Sequence, residues 1–281
     1  MHLRLLLPLF LLGGCAWEAG EGFAVLEPTV RVAYAPEDSR LTPDGYRRLS
    51  SDYQVRLTAA TMRLERIELT AQSGGGGGGT FDPANPPPGY SLCHNGHCHR
   101  DDGALIDYED IAAELGGGGT STQTVATLPV GDVNLLAPET LQVTCSPACE
   151  LPSGTVSRGQ WAVTGLTLEG IARDGRDFPR FAGEKPFRLA VAPGGASSEP
   201  LAVLRGDLDI PSDREHAPRV RLALQLEMTS RIFDSVDWAL PQPEGNGTVD
   251  LTAAANAPAR EAILKGVAEL TPSAEVTRED R

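Results

Sequence analysis

The sequence predicts an all-β protein: an antiparallel β-sandwich with a glycine-flanked insert and a short C-terminal helix. Three observations carry this. Apolar and polar residues alternate over many short runs separated by Gly and Pro turns. Only one sizeable stretch, near the C-terminus, has helical spacing of its apolar residues. Two glycine runs, SGGGGGG (73–79) and GGGG (116–119), bracket a segment unlike the rest of the chain.

The strands follow in order. VRVAY (30–34) alternates, and so does YQVRLTAATMRLERIELTA (53–71). Within the second run Val55, Leu57 and Ala59 share one parity, Met62 and Leu64 the other, and Ile67 and Leu69 return to the first. Such slips inside an extended run predict β-bulges. Further strands are expected at 122–130, 131–136, 139–145, 160–172, 187–192, 201–210, 220–228 and 248–254. In VRLALQLEM (220–228) every even position is apolar, which predicts one buried and one wet face. Trp161 and Trp238 lie in strand-like runs and are expected in the core. NAPAREAILKGVAEL (256–270) reads as the helix. Asn256 can cap it, Pro258 suits its first turn, and Ile263, Leu264, Val267 and Leu270 form a stripe. Residues 271–281 are expected to fray. The sandwich is then a single domain over 23–270, with the insert at 73–120. Inside the insert, DYEDIAAEL (107–115) has a helix signature, with Asp107 as cap and Glu109 and Asp110 in the first turn.

The N-terminus, MHLRLLLPLFLLGGC, has the layout of a secretory signal: Arg4, an apolar run over 5–12, then small residues. The run is too short to span a bilayer. Leu12-Gly13-Gly14-Cys15 resembles the lipobox of bacterial lipoproteins. That resemblance implies cleavage after residue 14, a lipid on Cys15, a tether over 15–22, and attachment to the membrane through that lipid. Ala16, where the family uses Asp for inner-membrane retention, implies the outer membrane. Such an environment oxidises thiols that can meet. The chain carries a net charge of −14, and loss of residues 1–14 removes one arginine and no acid. Acidity of this order, with no basic stripe, excludes general nucleic-acid binding.

The densest chemistry is CHNGHCH (93–99), three of the five histidines with two cysteines. An even spread would place about 0.1 histidines in such a window. Asn95-Gly96 favours a two-residue hairpin turn. His94 would then oppose His97, Cys93 would oppose Cys98, and Leu92 would oppose His99. Side-chain alternation puts the cysteines on one face, about 4.5 Å apart and suited to a disulfide, and the histidines on the other. Three imidazoles can converge on Zn²⁺ or Cu²⁺, and Asp101 or Asp102 can add an oxygen ligand or orient an imidazole. Cys93-x4-Cys98-His99 also resembles the longer haem-attachment spacing of some multihaem c-type cytochromes. That resemblance implies haem c held by thioethers, with His99 on the iron and His94, His97 or Met228 as distal candidates. A third reading is a plain staple with solvated histidines.

CSPAC holds a second pair, Cys145 and Cys149, expected as a local disulfide. Its spacing resembles the Cys-x3-Cys of copper-delivery thioredoxin-like proteins, although Glu150 and the absent βαβ pattern depart from them. Reduced, the pair would suit Cu⁺. His216 sits in a polar turn, and Asp234 and Asp237 in FDSVDW read as a solvated turn. No nucleophile with a base and no phosphate loop is present. Asn246-Gly247-Thr248 fits the N-x-T acceptor pattern. Together these features lead one to expect a lipid-anchored, non-catalytic envelope protein that binds copper or zinc, with a single-haem electron carrier and a surface scaffold or adhesion module as rivals.

Overall fold

The computed structural model describes residues 24–72, 82–84, 86–94, 97–101, 105–108, 111, 122–192, 200–213 and 215–278. The signal, Cys15, the tether and both glycine runs lie outside the described residues. The strands are β1 (Ala24–Tyr34), β2 (Arg47–Arg48), β3 (Tyr53–Gln72), β4 (Tyr90–His94), β5 (His97–Arg100), β6 (Leu105–Asp107), β7 (Thr122–Asn134) and β8 (Thr140–Gln142). They continue as β9 (Glu150–Leu151), β10 (Gly154–Asp174), β11 (Glu184–Val191), β12 (Ala202–Ser212), β13 (Arg219–Met228), β14 (Val249–Asp250) and β15 (Ser273–Arg278). One helix, α1 (Ala257–Ala268), lies between the last two.

The chain is an all-β sandwich, as expected. The larger sheet runs β14-β11-β10-β3-β2, with β12 also on β10 and β7 also on β3. The smaller runs β15-β13-β1-β8, with β9 also on β1. Most pairs are antiparallel. β1 and β13 instead run parallel from Val25↔Arg219 to Tyr34↔Met228, and β11 meets β14 the same way. One cluster of buried side chains fills the space between the sheets. It includes Met62, Leu64, Ile67 and Leu69 of β3, Trp161 and Leu168 of β10, and Val30, Val32, Leu222, Leu224 and Leu226 of the smaller sheet.

The parity slips in β3 have the expected cause. Its register with β10 skips Thr58, between Leu57↔Gly170 and Ala59↔Glu169, and Glu65, between Leu64↔Val163 and Arg66↔Ala162. Each extra residue swaps the face that the next side chains occupy. Val55, Met62, Leu64, Ile67 and Leu69 are thereby all buried. In β13 the even positions are buried as the alternation requires. The runs at 122–130 and 131–136 fuse into one strand, β7, which passes through Gly131 at φ +102°.

Three expectations are corrected. The tail does not fray, because Ser273–Arg278 forms β15 and covers the edge of β13 from Val220↔Arg278 to Gln225↔Ser273. Its residues alternate only between half-buried and exposed, so no hydrophobic signal marks it. Asn256 precedes α1, but its side chain makes no capping bond. It is buried, accepts from the Gln242 N–H (2.8 Å) and donates to the Gln242 and Asp250 carbonyls (3.0 and 2.8 Å). It therefore ties two loops together. Trp238 is in the core but not on a strand, since it follows the 3₁₀ turn Ser230–Phe233. Its ring packs on Phe187 at 4.7 Å and Phe233 at 6.2 Å.

Close approach fixes two glycines. A Cβ on Gly266 of α1 would fall 2.7 Å from Ile232 Cα, so the helix seats directly on the 3₁₀ turn. A Cβ on Gly170 would fall 2.6 Å from the Arg56 carbonyl oxygen and 2.8 Å from the Phe187 ring. Gly170→Ala is therefore expected to destabilise by about 2–3 kcal/mol in urea unfolding. Gly245→Ala, where nothing lies within 4 Å, is expected to stay within about 0.5 kcal/mol of the parent. Equal effects of the two would contradict this packing.

Candidate functional site

The insert forms its own three-stranded sheet, β4-β5-β6, with β5 central. The turn residues 95–96 lie outside the described set, and the strands on either side pair as the Asn-Gly signal predicts, with His94 opposite His97. The next pair is corrected. Ser91, not Leu92, opposes His99, and Tyr90 opposes Arg100. Leu92 and Cys93 thus share one partner position, that of Cys98, which is a bulge. Alternation in sequence cannot reveal such a slip over so short a strand. On the other side His97 opposes Asp107, Cys98 opposes Ile106, and His99 opposes Leu105. The Asp101 N–H donates to the Gly89 carbonyl at 3.0 Å and closes the open end of the hairpin.

Cys93 and Cys98 are joined by a disulfide, with Cα atoms 4.0 Å apart. Cys98 is fully buried, as is Ile111, and neither belongs to the sandwich core cluster. Of the expected helix at 107–115, the described residues Tyr108 and Ile111 are helical, and Asp107 ends β6. His99 is half-buried on β5, and Asp101 is exposed just beyond it. The side chains of His94 and His97 and the whole of Asp102 lie outside the described residues. Among the described residues no three His, Cys, Asp or Glu side chains are grouped so as to hold an ion.

Cys145 and Cys149 form the second local disulfide, with Cα atoms 4.9 Å apart. Its loop is stitched to the sandwich. Ser146 exchanges both backbone bonds with Thr127 of β7 (2.9 and 2.8 Å), and the Cys149 carbonyl accepts from Leu26 of β1 (2.9 Å). With both pairs oxidised, thioether or thiolate chemistry at any of these four sulfurs requires prior reduction. Met228 is fully buried inside the sandwich, so it is not placed to reach a haem on the insert. His216 is exposed as expected, with Nδ1 2.7 Å from Asp213 Oδ1.

Among the described residues an extended polar network lies elsewhere and carries no sequence signature. Asp234 and Asp237 are not a solvated turn. Asp234 accepts from Arg40 at 2.8 and 3.0 Å and from the Ser50 N–H at 2.9 Å. Asp237 accepts from the Tyr53 hydroxyl at 2.6 Å and takes both of its oxygens to Arg180 at 2.8 Å. Arg173 binds Asp44 and Gln54, and its guanidinium lies 3.9 Å from the Tyr46 ring centre, with Arg56 at 4.8 Å. The Tyr46 hydroxyl donates to Glu184. Arg176 lies 4.4 Å from the Tyr53 ring and bonds Asp174 and the Ser51 carbonyl. Lys185 Nζ donates to the carbonyls of Trp238, Ala239 and Pro241. Guanidinium–ring stacking and charge-assisted bonds thus join three segments distant in sequence. Partners such as Arg40 and Asp234 are 194 residues apart, which is why local reading misses them.

These contacts move the carboxylates. Asp44 is pulled down to about 2 by the Arg173 guanidinium and then the Thr42 hydroxyl. Asp250 is pulled down to about 2 by the hydroxyl and N–H of Thr252 and then by Arg188. The Tyr53 hydroxyl, with Arg180, holds Asp237 below its usual range. Burial pushes Lys185 down. A carboxylate depressed in the fold stabilises it above the unfolded value of about 3.9 and loses that effect as pH falls through the folded value. The unfolding temperature is therefore expected to be flat from about pH 7 to 5 and to fall between about pH 4 and 2. Asp250→Asn keeps an acceptor for Thr252 but loses the charge against Arg188, so its fall should be shallower. Tyr53→Phe should cost about 1–2 kcal/mol at pH 7.

No protein-family description, curated protein or solved structure matches this chain.

Proposed function

We propose that the chain is a lipid-anchored protein of the bacterial envelope that binds copper or zinc through its Cys/His hairpin, for sequestration or delivery. The observation that carries this reading is the hairpin itself. The Cys93–Cys98 bond closes it, and its register sets His94 opposite His97. A covalent closure lowers the entropy cost of gathering imidazoles, which are favoured ligands of both metals. Oxidation of both cysteine pairs fits an extracytoplasmic location, and the lipobox-like end at Cys15 supplies the anchor. A second reading, a disulfide-stapled scaffold loop, is favoured by the complete burial of Cys98, which gives the bond a packing role independent of any ligand.

Elemental analysis and an absorption spectrum of the purified full chain separate these. The metal-binding reading expects about one copper or zinc per chain and its loss in His94→Ala/His97→Ala/His99→Ala, with no Soret band. A parent chain that holds no ion when supplied with either metal overturns the proposal in favour of the scaffold, and a Soret band overturns it in favour of haem.

A further inference from the structure

We infer that one end of the sandwich is a self-association surface, on which Phe178 of one copy of this chain enters a pocket beside Leu240 of a second copy, and the second copy does the same in return. The contact lies on the sandwich and is independent of the metal reading. Phe178 is the knob. It sits in the loop between β10 and β11, within Arg176-Asp177-Phe178-Pro179-Arg180. It is 91% exposed, the highest value of any large apolar residue among the described residues. The loop around it is fastened on both sides. Asp174 accepts from the Arg176 and Arg180 N–H groups at 3.1 and 2.8 Å. Arg180 holds Asp237 through its guanidinium, and Phe181 stacks on Tyr53 with ring centres 6.0 Å apart. Phe178 is thus held out in water by a fixed loop, and a preorganised side chain loses little freedom on docking.

The pocket is its neighbour. It measures about 230 Å³ and is lined by Val236, Leu240, Pro241, Ala255, Pro258 and Ala259. An apolar cavity of about 150 Å³ holds a benzene ring, so a phenyl ring fits. Leu240 lines it while 62% exposed. Asp237 belongs to the same wall, and its carboxylate binds Arg180, two residues from Phe178. Knob and pocket therefore share one end of the molecule. Features far apart on a surface join copies into open chains, whereas adjacent ones can be exchanged about a twofold axis, which closes. The exchange also brings Asp177, exposed beside the knob, towards the half-exposed Arg180 of the other copy. A membrane is the weaker occupant. β1 enters from the other end of β10: Ala24 pairs with Leu151 and bonds Ser212, which faces Gly154 where β10 begins. A tether upstream of β1 leaves the Phe178 end free for a protein. Two aromatic side chains bury about 150–250 Å² each. With two Leu240 side chains this stays below the roughly 1,600 Å² of a standard interface, so the dimer is reversible.

Sedimentation velocity over a concentration series tests this on the full chain, on Phe178→Ser, which removes the knob, and on Ala255→Trp, which fills the pocket. The parent is expected to dimerise with a Kd of about 10–500 µM. Each variant should weaken the dimer by at least about 10-fold, with an unchanged unfolding temperature for Phe178→Ser because that side chain packs on nothing. An equimolar mixture of the two variants should associate more tightly than either alone, since the knob of one meets the open pocket of the other. If Ala255→Trp lowers the unfolding temperature, Leu240→Asp replaces it in both experiments. A parent that stays monomeric up to about 1 mM overturns the inference. So does a dimer that Phe178→Ser leaves unchanged, because association then runs through another surface, the N-terminus included. Species that grow beyond two copies through Phe178 overturn the twofold exchange. A monomeric parent that binds phosphatidylglycerol vesicles, with Phe178→Ser losing that binding, would make the knob a membrane finger and also overturn the inference.

Discussion

The β3–β10 ladder holds the other elements in place. It pairs nearly the whole of both strands, from Thr155↔Gln72 to Asp174↔Tyr53. β7 lies on the far side of β3, and β11 and β12 pair with successive parts of β10. The same ladder positions the insert. β3 ends at Gln72, directly opposite Thr122, where β7 begins. The chain leaves the sandwich and returns at one rung of an existing hairpin, so closing the long excursion adds little strain to the core. Loop closure grows only slowly in cost with length.

Two kinds of restraint divide the molecule. In the sandwich, burial is the main stabilising term, and the arginine–tyrosine–aspartate network fastens the loops around Tyr46, Arg180 and Trp238 onto it. In the insert fewer of the described side chains are buried. Its described core reduces to Cys98 and Ile111, so covalent closure substitutes for burial. The same bond also holds β4 against β5 where His94 opposes His97 in register. Stability and proposed chemistry therefore draw on one bond.

Much of the sandwich was legible in the sequence because burial leaves a period-2 trace. The parity slips of β3 were readable as bulges, and Thr58 and Glu65 are the residues that produce them. β13 was readable on both faces. What stayed hidden carries no local signal. The parallel partnership of β1 with β13 depends on which strands meet, not on either strand's pattern. β15 is half-exposed throughout and exists because β13 offers an edge. Asn256 has the residue type of a cap, but the Gln242 and Asp250 backbone groups compete for its side chain. In the hairpin, the opposition of His94 to His97 and the disulfide were legible. The bulge at Leu92 and Cys93 was not, and neither was the pairing of β6 with β5.

A self-sufficient sandwich that carries a separately closed donor hairpin should survive removal of the hairpin. Urea unfolding of a chain in which residues 73–121 are replaced by a two-residue Asn-Gly turn, joining Gln72 to Thr122 as a tight hairpin, puts this to the test. A single cooperative transition is expected, with stability within about 1 kcal/mol of the parent. Loss of cooperativity, or a drop of several kcal/mol, would mean that the insert is part of the sandwich's own core, and the division into two separately restrained parts would be wrong.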